Sequence, residues 1–189
     1  MSIKIAFAGL SHLGIISSVA SAAKGFDVIG YDPDGALCDR LAEGTLPIVE
    51  PQLRELLGAH RARIRFTSDA SALRACGVVV CSADVPTGPD HASDLSVIDG
   101  LMRDVAAAVS REAVVVILSQ VPPGFTRRIA QEHRALAGRL FYQVETLSFG
   151  QAVERALKPE RLIVGCADRR SPLPAAYADW LKAFGCPIL

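Results

Sequence analysis

The chain has 189 residues, half of them hydrophobic and 21% charged, enough to bury the core of a globular domain and without the composition of a disordered one. Twenty Lys and Arg balance twenty Asp and Glu, which excludes the one-signed electrostatic footprint of a nucleic-acid or membrane-surface binder. No apolar run approaches the roughly 18 residues of a membrane span, and the N-terminus enters a strand at once with no signal-like stretch, so a cytoplasmic, soluble protein is expected.

An apolar strand is predicted over 3–8, then a glycine-rich turn, then a helix over 13–24 that Gly25 stops. A strand over 27–31, helices over 35–43 and 51–57, a strand over 63–67, a helix over 70–75 and a strand over 77–82 follow. Pro86-Thr87-Gly88-Pro89-Asp90-His91 is too rich in turn formers to be anything but a loop. Asp94 is placed to cap a helix over 95–110. The remaining elements are a strand over 113–119, a helix over 123–137, a strand over 140–144, a helix over 149–156, a strand over 161–165 and a helix over 174–184. Val78-Val79-Val80 and Val114-Val115-Val116-Ile117-Leu118 are apolar on both faces, as interior strands of a parallel sheet are. The alternation predicts a single domain with a Rossmann-like, doubly wound α/β fold: a mostly parallel sheet with helices on both faces.

The five cysteines are odd in number and contain no C-x-x-C pair, so neither a zinc site nor a disulfide framework is expected. Cys76, Cys81 and Cys166 sit in or beside apolar runs and read as buried thiols. His60, His91 and His133 share no metal-ligand spacing and read as surface or loop residues; Arg127-Arg128 reads as a solvated pair. Trp180 and Phe184, four apart, are expected to pack the last helix onto the sheet.

The turn Gly9-Leu10-Ser11-His12-Leu13-Gly14 carries the chemistry. In the G-x-G-x-x-G fingerprint the first glycine permits the turn, the second admits a pyrophosphate, and the third lets helix and strand pack. Gly9 and Gly14 fill the outer roles, and Ser11 stands in the middle one, where its hydroxyl can donate to a phosphate oxygen. An acid about 20 residues on, at the end of the next strand, holds the adenosine ribose. Asp32 stands there and favours NAD over NADP, because it would repel a 2′-phosphate. Cofactor contact is therefore assigned to Gly9, Ser11, His12, Leu13, Gly14 and Asp32.

Further segments fall into line with this turn: Gly44-Thr45-Leu46-Pro47-Ile48-Val49-Glu50-Pro51, Arg65-Phe66-Thr67-Ser68-Asp69, Ser93-Asp94-Leu95-Ser96, Ser119-Gln120-Val121-Pro122-Pro123-Gly124-Phe125-Thr126, and Lys158-Pro159-Glu160-Arg161-Leu162-Ile163-Val164-Gly165. In this order and spacing the whole chain resembles the N-terminal, NAD-binding domain of the UDP-glucose/GDP-mannose dehydrogenase family. The resemblance implies oxidation of a nucleotide sugar to its uronic acid, with two hydrides passed to two NAD molecules and a thiohemiacetal and thioester held on a cysteine between them. It implies cofactor contact at Ser119 and Val85, with Ser119 and Glu145 near the reacting end and Glu145 as a carboxylate that positions water or substrate. It assigns the nucleophilic cysteine, a lysine, an asparagine and an aspartate to a second domain beyond a long helix, and these have no counterpart in the 189 residues. Cys186 lacks the lysine and aspartate that follow the family's nucleophile and reads as a buried or terminal thiol.

Several positions depart from the pattern. Gln120 replaces a threonine, Phe149 a second glutamate and Ser148 an arginine; Asp84-Val85-Pro86 stands for Gly-Thr-Pro, and Leu37 for a lysine. The expectation is an NAD-binding domain that cannot complete the oxidation alone and acts on a nucleotide sugar with a partner chain carrying the catalytic domain. The alternative is a non-catalytic relative that binds a nucleotide or a protein partner. The pair Glu50-Pro51 is read as setting the start of a helix.

Overall fold

The valine runs Val78–Cys81 and Val114–Ile117 form strands whose alternate residues are buried in opposite directions, because both faces are covered. A computed structural model describes residues 3–88 and 91–189. The strands are β1 (Lys4–Ala8), β2 (Asp27–Tyr31), β3 (Ile64–Thr67), β4 (Val78–Cys81), β5 (Val114–Ile117), β6 (Leu140–Gln143) and β7 (Val164–Gly165). They form one sheet in the order β3-β2-β1-β4-β5-β6-β7, parallel throughout except for β7. This is the doubly wound sheet expected.

The helices are α1 (His12–Ala23), α2 (Gly35–Ala42), α3 (Leu53–His60), α4 (Ser96–Ala108), α5 (Phe125–Glu132), α6 (Ala152–Leu157) and α7 (Ala175–Lys182). Val78, Val80, Val114 and Val116 join one core with residues of α1, α3 and α7. Val79, Cys81, Val115 and Ile117 join a second core with α4 and α5. Burial on both faces accounts for runs with no polar alternation. Trp180 meets Phe7 edge-on at 6.0 Å, Phe184 meets Trp180 at 5.9 Å, and the indole N–H donates to Ser21 Oγ at 3.1 Å, so α7 docks as expected. Among the described residues no helix is long and apolar enough to cross a membrane.

Several boundaries differ from expectation for local reasons. Residues 70–75 form a 3-10 turn closed by Asp69, whose carboxylate accepts from the Ser71 N–H. The helix expected over 123–137 runs only over Phe125–Glu132, because Gly124 takes a positive φ before it and a 3-10 turn, Arg134–Leu136, follows. The helix expected from 51 starts at Leu53, after Gln52 in a left-handed conformation. The strand over 161–165 shrinks to two residues, since Leu162 bridges Ile188 instead of the sheet, and it pairs antiparallel with β6. Cys166 is exposed beyond that edge strand instead of buried. Arg128 is no free solvated charge: it pairs with Asp99 at 2.6 Å and Glu132 at 3.1 Å and lies over the Phe125 ring. The loop expected over 86–91 includes Pro89 and Asp90, which lie outside the described residues.

Candidate dinucleotide cleft

From β1 the chain steps to β2 and β3 on one side, and from β4 to β5 and β6 on the other. A crevice opens beyond the carboxyl ends of strands where the order reverses so, and it is where such sheets bind ligands. Here that crevice lies between the exits of β1 and β4. Gly9, at φ +89°, turns the chain out of β1, and a Cβ there would lie 2.7 Å from the Ala83 nitrogen. Gly14 is tighter still: its Cβ would fall 1.9 Å from the Gly9 carbonyl oxygen. The two outer glycines thus do the work expected of them.

Ser11 is used differently. Its hydroxyl donates to the Ser82 carbonyl at 2.8 Å, and the Ser82 hydroxyl donates to the Gly9 carbonyl at 2.9 Å, so turn and β4 exit are stitched together. Ser11 stands at the N-cap of α1 but makes no side-chain cap, and the first turn holds no acid. The leading N–H groups of a helix have no partner within it, and the dipole there favours an anion. The start of α1 therefore suits a pyrophosphate even with Ser11 in the middle position.

On one side the cleft is a groove of about 930 Å³ lined by Gly9, Ser11, Asp32, Leu37, Gly100 and Asp104, among others. Asp32 accepts the Leu10 N–H at 2.7 Å and the Asp34 N–H at 3.0 Å, which fixes its carboxylate beside the turn. Gly100, inside α4, lines this groove, and a Cβ there would meet nothing nearer than Arg103 at 3.7 Å, although a mid-helix glycine costs up to about 1 kcal/mol against alanine. Tyr31 donates to Asp104 at 3.2 Å, and burial together with that carboxylate pushes its hydroxyl up to about 12.

On the other side the cleft continues past Ala83 and Asp84 into a hollow of about 700 Å³ lined by His12, Leu13, Val85, Gln120 and Phe149. Sequence reasoning left His12 to face cofactor or solvent; its Nε2 lies 2.9 Å from Glu50 Oε1, and its ring lies 4.3 Å from that of Phe149. Glu50, read from sequence as a helix-start residue, is a buried carboxylate that also accepts the Gly150 N–H at 2.9 Å. Burial raises its pKa, but the Gly150 N–H and His12 outweigh burial and hold the carboxyl below its ordinary value. Its sequence signal was an acid inside the apolar stretch Pro47-Ile48-Val49-Glu50.

Glu145 stands behind this hollow. Its Oε2 accepts the Gln120 amide at 2.7 Å and its Oε1 accepts the Leu147 N–H. Ser119 is fully buried and its hydroxyl donates to the Cys81 carbonyl at 3.4 Å, so it supports the cleft floor from beneath. Asp84 is exposed on the cleft where both halves meet. Cys38, Cys76 and Cys81 are buried, and burial pushes the Cys81 thiol up to about 12. Among the described residues no thiol lines either half of the cleft, and no cluster of three His, Cys, Asp or Glu is placed to hold a metal ion. The turn, the uncapped helix start and Asp32 fit a dinucleotide; the Asp84 carboxylate opposes its phosphates.

The chain matches the UDP-glucose/GDP-mannose dehydrogenase family, NAD binding domain, over residues 3–181. It is 33% identical over 171 residues to a UDP-glucose 6-dehydrogenase of Rhizobium meliloti, covering 86% of this chain and 39% of that protein. It is 30% identical over 166 residues to a UDP-N-acetyl-D-mannosamine dehydrogenase of Pyrococcus horikoshii, covering 86% of this chain and 37% of that one. A solved UDP-glucose dehydrogenase from Pyrobaculum islandicum superposes with a TM-score of 0.84 at 28% identity, over 100% of this chain and 46% of the other. The chain thus spans about two fifths of the length of the curated relatives it matches.

Proposed function

The chain belongs to the UDP-glucose/GDP-mannose dehydrogenase family as its NAD-binding domain, and from that premise we propose that it is the hydride-accepting part of a nucleotide-sugar 6-dehydrogenase. The observation that carries this is the join of an uncapped α1 start with the Asp32 carboxylate on the rim of one continuous cleft. NAD, when bound, supplies the hydride acceptor. The first N–H groups of α1 would hold the pyrophosphate, and Asp32 would accept from the adenosine ribose hydroxyls. That carboxylate also repels a 2′-phosphate, which selects NAD over NADP. The nicotinamide half would then lie toward His12, Leu13, Val85 and Gln120, where Glu145, bonded to Gln120, would orient a sugar hydroxyl or a water.

The thiol chemistry of the second oxidation is supplied from outside these residues, because the cysteines here are buried or away from the cleft. A nucleotide sugar is the substrate of the assembled enzyme, and a partner segment or chain carrying the nucleophile completes it. Free thiols at all five cysteines accord with a reducing, cytoplasmic setting.

One observation favours a second reading, a non-catalytic nucleotide binder: Gln120 occupies Glu145, and Asp84 adds charge where phosphates must sit. Calorimetric titration of the folded chain with NAD and NADP tests the proposal. Saturable NAD binding, much weaker NADP binding and loss of NAD affinity in Asp32→Ala are expected. Absence of saturable binding at millimolar NAD sinks it. Binding without hydride transfer to NAD, once the cysteine-bearing domain is added with a UDP-sugar, selects the second reading.

A further inference from the structure

Phe149 is a large aromatic side chain left 84% exposed, although the loop that carries it is tightly held. Gly150, its neighbour, donates to Glu50, and the same carboxylate holds His12 through Nε2. The Phe149 ring rests on the His12 imidazole at 4.3 Å between centroids, tilted by 40°. His12 is itself only 14% exposed and Glu50 only 1% at the side chain, so the support beneath the phenyl ring is rigid. The ring belongs to neither hydrophobic core. It lines the hollow with Leu13, Val85 and Gln120, at the end of the cleft away from Asp32.

A phenyl ring can neither take nor give a proton, so at this position it supplies only shape and a π face. A planar, electron-poor ring is the ligand group that such a face holds best, in offset or tilted stacking. We infer that Phe149, backed by His12 and latched by Glu50, is a stacking platform for the nicotinamide ring. The inference rests on the reading that NAD lies across this cleft with its adenosine ribose on Asp32. The platform is a positioning device: it fixes which way the nicotinamide faces.

ADP-ribose shares every group of NAD except the nicotinamide, so the two ligands separate this inference from the reading beneath it. Titrations of the 189-residue protein with each ligand are expected to show Phe149→Ala weakening NAD by about 3- to 10-fold, the value of one aromatic stack. ADP-ribose binding stays within about twofold, as for a surface substitution that leaves the fold intact. Phe149→Trp keeps NAD affinity, and the change in NADH fluorescence on binding is lost only in Phe149→Ala. If Phe149→Ala leaves the ratio of NAD to ADP-ribose affinity unmoved, the platform is wrong while the cofactor reading stands. If the folded wild type binds neither ligand, both fall together.

Discussion

Glu50 joins three segments distant in sequence, and its removal can be worked through from its bonds. Its carboxylate accepts the Gly150 N–H at 2.9 and 3.1 Å and meets His12 Nε2 at 2.9 Å, with the side chain 1% exposed. Hydrogen bonds to a charged group contribute about 1.5–3 kcal/mol each, less the cost of burying the carboxylate, and stripping one partner from a buried pair costs about 3–5 kcal/mol. Glu50→Ala should therefore cost about 3 kcal/mol, a large share of a typical domain's 5–15 kcal/mol. Glu50→Gln should cost less, about 1–2 kcal/mol, since its amide oxygen still accepts the Gly150 N–H. The pH dependence has a definite sign. Glu50 titrates below its ordinary value in the folded protein, so its contribution is complete above the unfolded carboxyl pKa and fades as pH falls through the lowered one. Urea unfolding of wild type and Glu50→Gln should show the wild type ahead at pH 7 and the gap closing below about pH 4.5. Equal stability at pH 7, or a gap that stays constant into acid, would refute the reasoning.

Gly14→Ala should destabilise the fold by about 3 kcal/mol or more in urea, because its Cβ would fall 1.9 Å from the Gly9 carbonyl oxygen and 2.8 Å from Ser82 Oγ. Gly58→Ala, on α3 with open space around it, should instead stabilise by about 0.5–1 kcal/mol. Asp84→Asn should tighten NAD binding by on the order of 2- to 5-fold at low salt and less at high salt, and unchanged affinity at low salt would count against its placement beside the phosphates. A thiol reagent followed by mass spectrometry should modify exposed Cys166 first and spare Cys76 and Cys81, whose thiols burial pushes up to about 11 and 12, until the protein unfolds.

The parts of the molecule legible in its sequence are those whose causes are local. Gly9 and Gly14 were readable because a turn and a close helix–strand contact each demand the absence of a Cβ, and the valine runs because burial on both faces leaves no alternation. Asp32 was readable from its distance to the turn, although its bond to the Leu10 N–H was not. Glu50 was misread as a helix-start residue because its partners lie 38 and 100 positions away. Cys166 looked buried because it follows an apolar run, yet β7 is an edge strand of two residues and leaves it in solvent. The direction of β7 was hidden as well, since its antiparallel pairing with β6 leaves no mark in two residues.

The two halves of the cleft are built to different standards. At the Asp32 end, Asp32 is tied to the turn through the Leu10 N–H and Ser11 to the β4 exit through the Ser82 carbonyl. At the reacting end the substitutions act on one another. With Phe149 where the family has a glutamate, Glu145 remains of the family's two, and Gln120 donates to it at 2.7 Å while the Leu147 N–H donates to its other oxygen. On the proposed reading, an incoming sugar hydroxyl must displace the Gln120 amide before Glu145 can orient it. Gln120→Thr removes that competitor, and Phe149→Glu restores a second carboxylate without touching the turn or Asp32. With the cysteine-bearing domain and a UDP-sugar added, and NAD affinity of each variant measured alongside, hydride transfer that rises only when both changes are made would assign the deficit to the reacting end; no rise in a double variant that still binds NAD would refute it.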